Sequence, residues 1–348
     1  MALLARHTSD AARSQLTSLA RDVEPTVAAA ALEALLSIDP QLVLPLVEES
    51  LQNRDPKVRQ SGVKAYLALP TPERLERLAR VLQDLHPDVR SRACAGLFGH
   101  AKQDEFGPLI RERVTQVLAE NDWRGQEQAA LLLAALDHKP AAPRLVELLE
   151  SSKPQVMVAA AWGLRMLAVP DTVPKLLDKA RRETAGRMDG SLTDFAAHDL
   201  LLAHLFEACV RLDHTPAIEL MKPYIPKSIS MGDYSRGAAI WALGHLQHGY
   251  PDDQLAKALM ERAKDFGGMP PDTELVRRMS SISVGRMKAV SQLGECRTLM
   301  DQMPDGDVVD LALRWTIHEL TGEAVPQPEP PVRKDGIWFL SPLPKKAN

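Results

Sequence analysis

A phrase that recurs at a fixed interval limits the folds open to this chain. Pro25, Pro56 and Pro87 are 31 residues apart in both intervals. A Val follows each of them after two residues, a small residue after six and a large residue after ten. The same frame fits segments starting at Trp123, Pro154 and Asp233, with weaker matches near Asp194, Glu274 and Gly306. Repetition at such a period is typical of proteins built by stacking one structural unit.

Each phrase predicts a helix that starts at or near its first position. Pro is tolerated in the first turn of a helix, and positions +2, +6, +9, +10 and +13 after it fall on one side. A second amphipathic stretch precedes the phrase, as in residues 42–52, 73–83 and 142–152. Such a helix pair must bury its apolar face on neighbouring pairs. We therefore predict an all-α fold, an α-solenoid of about nine antiparallel helix pairs over residues 1–322, with an irregular Pro-rich tail over 323–348.

Polar residues flank the phrase at a regular spacing. Asp84 lies three residues before Pro87 and Arg90 three after it, and Asn53 and Arg59 have the same spacing around Pro56. We expect such a pair to bond the turn within a unit and the next unit in the stack. With the segments QDLHPDVRSRACAGLFG and SRGAAIWALGHL, the chain resembles the HEAT-repeat family, including the bacterial HEAT-like repeats first associated with phycobilin lyases. The resemblance covers roughly residues 10–320 and implies an architecture that serves many functions.

Composition narrows the class of protein. The formal net charge of −4 argues against a protein whose main partner is a polyanion. The sequence contains no run of about 18 apolar residues, so it predicts no membrane span. Cys94, Cys209 and Cys296 are far apart among apolar neighbours, so we expect free buried thiols and a cytoplasmic location. The opening MALLAR resembles the end of a helix, and two interpretations stay open: a C-terminal piece of a longer array, or an atypical cap.

Two segments depart from the repeat. RRETAGRMDGS, with Arg181, Arg182 and Arg187, predicts a solvated loop or a mobile arm that touches an acidic partner. The tail contains the apolar cluster Trp338, Phe339 and Leu340. We expect this cluster to cover the end of the solenoid, and the alternative is a docking motif for another protein.

The sequence contains no convincing catalytic or metal-binding pattern. GxGxxG, Walker A and CxxC motifs are absent. His245 and His248 form an HxxH without the Glu of a zinc-protease helix, and His198, Asp199 and His204 have a spacing that separates the histidines on a helix. We expect a protein that is not an enzyme and has no cofactor and no metal.

The surface opposite the apolar face is the candidate for binding. On a concave side, position +8 would present Glu33, Lys64, Ala95, Leu131, Trp162 and Trp241, and position +4 would present Ala29, Gln60, Ser91, Glu127, Val158 and Gly237. We predict that Trp162 and Trp241, with Arg165, Met166 and His245, contact a partner, since Trp and Arg are frequent in interface hot spots. Each Trp could instead pack against a neighbouring helix.

The predicted function is a non-enzymatic scaffold or adaptor that binds a protein partner through its concave face. One alternative is a nucleic-acid-binding protein similar to the glycosylases with HEAT-like helices. The +4 and +8 positions lack the basic groove that such proteins need, so no nucleic acid is expected. Another alternative, suggested by the resemblance alone, is a tetrapyrrole-handling factor similar to phycobilin lyases.

Overall fold

A computed structural model describes residues 9–192, 194–228 and 230–326, and the regular secondary structure within these ranges is helical. Eighteen α-helices form nine consecutive pairs. The first helices of the pairs are α1 (Asp10–Leu19), α3 (Val47–Leu51), α5 (Pro72–Val81), α7 (Gly107–Ala119), α9 (Ala142–Leu148), α11 (Val173–Met188), α13 (Ile218–Met221), α15 (Asp253–Ala263) and α17 (Leu293–Met300). The second helices are α2 (Pro25–Ile38), α4 (Pro56–Ala68), α6 (Pro87–His100), α8 (Trp123–Ala135), α10 (Pro154–Leu167), α12 (Phe195–Arg211), α14 (Asp233–Leu246), α16 (Glu274–Arg286) and α18 (Val308–Thr321).

The helices pack in chain order within each of two compact units, which divide between residues 145 and 146. In the first unit α2 packs on α4, α4 on α6 and α6 on α8. In the second unit the series runs from α10 through α12, α14 and α16 to α18. Stacking of equivalent helices is the arrangement of an α-solenoid. The predicted fold class and the number of helix pairs are confirmed.

The proline phrase acts as a helix start. Pro25, Pro56, Pro87 and Pro154 each occupy the first position of a second helix. That position needs no backbone N–H, and its fixed φ suits the first turn. Asp55, just before Pro56, caps α4 by accepting a hydrogen bond from Lys57 N at 2.8 Å.

The apolar side of the phrase forms the core of the stack. Leu97 and Leu164, ten residues after their prolines, are fully enclosed, as predicted. Val58 and Val89, at position +2, are also buried, whereas Val27 in the first pair is only half-buried. The periodicity therefore identifies the buried face, with less burial at position +2 of the first pair.

The flanking polar residues connect successive pairs. Arg59 donates two hydrogen bonds to the Asp84 carboxylate of the next pair, both at 2.7 Å. It also donates to the backbone oxygens of Asn53 at 2.8 Å and Arg54 at 2.9 Å in its own turn. Arg90 repeats the second part of this pattern by donating to Asp84 O at 2.8 Å. The expectation that these residues bond a turn and the neighbouring unit is confirmed.

The predicted loop at residues 181–191 is wrong for most of its length, because α11 continues to Met188. Arg181 and Arg182 lie on its exposed side, but Arg187 is only 2% exposed. The segment stays helical since Arg187 turns inward and donates to Phe195 O at 3.1 Å. Trp338, Phe339 and Leu340 lie outside the described residues, and α18 ends at Thr321 with Gly322 in the left-handed conformation.

In the part of the chain that the structure describes, no helix combines the length and apolar character needed to cross a membrane.

Candidate functional site

Two open grooves run between successive second helices of the first unit. The groove between α2 and α4 encloses about 400 Å³, and its lining includes Ala29, Glu33, Gln60 and Lys64. The groove between α4 and α6 encloses about 640 Å³, and its lining includes Gln60 together with Ser91 and Ala95. These residues occupy positions +4 and +8 of the repeat. We call the surface that they form the +4/+8 face.

The charges on this face are mixed and partly paired. Lys64 Nζ contacts both carboxylate oxygens of Glu33, at 2.7 and 2.8 Å, so the +8 residues of two successive repeats are joined. Ser61 also donates to Glu33, at 3.0 Å. Lys57, Asp88 and Arg92 complete the charged lining of the two grooves. The face therefore offers hydrogen-bonding groups of both kinds rather than a field of one sign.

In the second unit, the expectation that both tryptophans are exposed is wrong for one of them. Trp162 on α10 is half-buried, but Trp241 on α14 is only 5% exposed. The cause is the small residues Gly237 and Gly244, which let α16 approach α14 closely. A Cβ at Gly237 would lie 2.8 Å from Leu275 Cγ, and one at Gly244 would lie 2.6 Å from Ser283 Cα. The adjacent helix consequently covers position +8 here.

Arg165 and Met166, predicted to join Trp162 on an interface, differ in exposure. Met166 is half-buried, whereas Arg165 is buried and bonds inside the stack. Its Nη1 lies 2.7 Å from Glu207 Oε2 and 3.2 Å from His204 Nδ1, both on α12. Burial raises the pKa of Glu207 to about 7 and, with the Arg165 charge, lowers the pKa of His204 to about 3. Arg165 thus connects α10 to α12 inside the stack, and its contact with a partner stays a prediction.

His245 is held against Trp241, with the two ring centroids 4.2 Å apart. Its pKa is lowered to about 3 by burial and then by the charge of Arg286, so the imidazole is neutral at physiological pH. The Arg286 guanidinium lies 5.7 Å from the Trp241 ring and 5.9 Å from the Trp315 ring. The sequence pattern did not identify Arg286 and Trp315 as part of this cluster, because they belong to the two following repeats.

The five predicted contact residues therefore form two groups. Trp162, Arg165 and Met166 lie on α10, and Trp241 and His245 lie on α14, while α12 packs against both helices. Their role in binding a partner stays a prediction. Among residues 9–192, 194–228 and 230–326, no group of three His, Cys, Asp or Glu side chains is arranged to hold a metal ion.

Comparison with known proteins identifies the repeat. Residues 4–97 and 111–189 match the family described as HEAT repeats. These two segments are HEAT repeats, and they belong to the α-solenoid described above. No curated protein matches the chain by sequence.

Several solved structures share the fold. Kap95p, from a structure of its complex with RanGDP, has a TM-score of 0.64 at 14% identity, covering 89% of this chain and 47% of that one. The karyopherin Kap121p, bound to the extreme C-terminus of the protein phosphatase Cdc14p, has a TM-score of 0.64 at 12% identity, covering 88% and 37%. Yeast importin-β (Kap95p) has a TM-score of 0.60 at 13% identity, covering 90% and 47%. The chain thus spans less than half of these karyopherins, and at such identities the likeness concerns the fold.

Proposed function

We propose that this protein is a non-enzymatic scaffold that binds a protein partner through the +4/+8 face of its second helices. The observation that carries the proposal is the pair of grooves along α2, α4 and α6, which are lined by the same register positions in three successive repeats. An extended segment of a partner can follow such a surface from one repeat to the next. Stacked repeats create extended surfaces of this kind.

The chemistry of the grooves favours a protein over a nucleic acid. Of their charged residues, Glu33 and Asp88 are acidic and Lys57, Lys64 and Arg92 are basic. The two grooves together have a net charge of only +1, and Lys64 is already paired with Glu33. Nucleic-acid binding depends on several Lys or Arg side chains that release counterions from phosphates. Short polar side chains and the small residues Ala29 and Ala95 are better suited to peptide backbone and side chains.

The fold neighbours support the same class of function. Two of these structures hold the neighbour with a bound protein or protein segment, RanGDP with Kap95p and the extreme C-terminus of Cdc14p with Kap121p. Trp162 and Met166 on α10 are half-buried, and we include them as a further contact in the second unit. A Trp that becomes fully covered on binding commonly contributes about 2 kcal/mol or more.

A pair of matched alanines allows a direct test. Ala95 lines the groove between α4 and α6, whereas Ala119 is another exposed alanine at the end of a first helix, α7. A photo-activated cross-linking amino acid at position 95 should capture a partner in an extract of the source cells, and the same group at position 119 should not. The captured protein is then purified and titrated against variants of the full chain.

The affinity measurements decide the proposal. Ala95→Arg should weaken binding at least tenfold, because the long charged side chain fills the groove, and Ala119→Arg should leave it unchanged. Binding should change little between low and moderate salt, since the grooves carry few unpaired charges. Equal affinity for the two Arg variants, or a steep salt dependence, would exclude the +4/+8 face as the site.

A further inference from the structure

A separate cavity of about 630 Å³ lies in the second unit, at the turns that lead into the second helices. The N-terminal ends of α12 and α14 form two of its walls, and the end of α11, residues 227–228, residues 231–232 and residues 270–273 complete it. Its volume lies within the range of protein sites for small ligands, about 300–1,000 Å³. The cavity is distinct from the grooves of the first unit and is independent of the function proposed for them.

Arg187 contributes a buried guanidinium to this cavity. The side chain is 2% exposed, and its Nη1 donates a hydrogen bond to Phe195 O at 3.1 Å. The guanidinium lies 5.0 Å from the centre of the Phe195 ring. Its Nε has no hydrogen-bond partner, and no carboxylate in the described part of the chain lies within 4.0 Å of it. A buried cation without a paired carboxylate is costly, so an anion that contacts Arg187 would be stabilised there.

The other two cations of the cavity are already satisfied. Arg236 donates to Asp272 Oδ1 at 2.5 Å and to the backbone oxygens of Tyr224 and Ile225. Lys227 is paired with Asp265 at 2.7 Å, with its side chain about one third exposed. Among the charged residues that line the cavity, Arg187 is therefore the cation with an available donor, and Lys227 can turn toward a bound anion.

The carboxylates of the lining define how much negative charge a ligand can carry. Asp199 accepts hydrogen bonds from Tyr234 N at 3.1 Å and Ser235 N at 2.8 Å, so it is committed to capping α14. Asp233 and Asp272 also face the cavity. The three carboxylates leave the lining without net charge, so no excess positive charge is present to hold the second charge of a dianionic phosphate. The site consequently favours a monoanion.

Apolar groups surround the charged centre. Phe195 is 47% exposed although it lines the cavity, and Met231, Pro270 and Pro271 contribute further apolar surface. Met269, next to Pro270, is 99% exposed. Large exposed apolar side chains grouped at a pocket mark interaction sites. A ligand that fits has a carboxylate flanked by apolar groups.

We propose that this cavity binds an acidic side chain of an extended peptide segment in a protein partner, with the carboxylate on Arg187 and flanking apolar side chains on Phe195 and Met269. The peptide carboxylate supplies the counterion that Arg187 lacks. The apolar neighbours cover Phe195 and the prolines and exclude water from the ion pair. No bond is made or broken in this interaction.

The test uses three capped tripeptides and the full chain. N-acetyl-Leu-Glu-Phe-amide carries one carboxylate, and the counterparts with Gln or phosphoserine in the middle carry no charge or a phosphate. NMR of protein labelled with ¹⁵N-arginine reports the Nε–H of Arg187, assigned by its loss in Arg187→Lys. Peptide is added to about 5 mM, which detects the roughly millimolar affinity expected from one ion pair and a small apolar contact.

The Glu peptide should shift the Arg187 resonance to saturation, and the Gln peptide should not. Arg187→Gln should reduce affinity at least tenfold, whereas Arg182→Gln, on the exposed side of the same helix, should leave it unchanged. Ala196→Phe fills the cavity mouth without removing Arg187 and should also abolish the shift, which covers the case that Arg187→Gln does not fold. A missing shift with the Glu peptide, or tighter binding of the phosphoserine peptide, would overturn the proposal.

Discussion

Replacing Asp84 with Ala should lower the free energy of unfolding of the first unit by about 2–3 kcal/mol. The carboxylate accepts two hydrogen bonds from Arg59 at 2.7 Å and one from His86 N at 2.8 Å. Both side chains of the ion pair are only 12% exposed. Hydrogen bonds to charged groups contribute about 1.5–3 kcal/mol, and breaking a fully buried pair costs about 3–5 kcal/mol. The 2–3 kcal/mol expected for Asp84→Ala is below the cost of breaking a fully buried pair, because Arg59 keeps its hydrogen bonds to two backbone oxygens.

Amide hydrogen exchange within α4 and α6 measures this change, since it reports local opening in a chain too long for one two-state transition. Asp104→Ala is the matched control, because Asp104 lies exposed in the turn between α6 and α7 and should cost no more than about 0.5 kcal/mol. The double variant with Arg59→Ala should show a coupling of about 1 kcal/mol or more. Equal effects of the two Asp variants would refute the connecting role of Asp84.

Three further predictions concern packing and pH. Leu164→Ala should lower the free energy of local opening of α10, measured by amide hydrogen exchange, by about 2–5 kcal/mol because its side chain is fully enclosed. Lys64→Ala should lower that of α4 by no more than about 0.5 kcal/mol, and similar losses would contradict the assigned helix faces. Gly244→Ala should destabilise the fold, because the added Cβ would lie 2.6 Å from Ser283 Cα. Gly99→Ala should stabilise it by about 0.5–1 kcal/mol, since a Cβ added there has no other atom within 4 Å. Because burial lowers the pKa of His245, the contribution of this residue to stability is complete above pH 6.5 and declines as the pH falls. About 1 kcal/mol of that contribution should be lost between pH 6.5 and 5.5. His245→Gln should remove that loss, and an unchanged pH dependence would contradict it.

The sequence was sufficient to predict the repeat architecture because the repeat is local. Pro87, Ala93 and Leu97 lie within a dozen residues of one another. The Pro indicates a helix start, the small residue a close contact with a neighbouring helix, and the large residue the buried face. The contact of Arg59 with Asp84 could also be anticipated, since the same spacing occurs twice. Both predictions depend on neighbours in the stack that repeat the same pattern.

The candidate sites depend on how closely neighbouring repeats approach, which single positions do not reveal. Trp241 has the same register as Glu33, yet α16 covers it because Gly237 and Gly244 remove the side chains that would hold the helices apart. Arg187 follows a glycine in a polar stretch that is typical of a loop, but α11 continues through it and turns the guanidinium inward. Gly237 and Gly244 can be read from the sequence, but the sequence does not show that α16 packs closely against them.

Hydrogen exchange of the full chain with and without its captured protein partner tests the central claim most directly. Binding through the +4/+8 face predicts slower exchange in the second helices α2, α4 and α6, because the partner covers the grooves between them. The first helices α3, α5 and α7 should exchange at unchanged rates in the same sample. Protection confined to those first helices, with α2, α4 and α6 unaffected, would contradict the account.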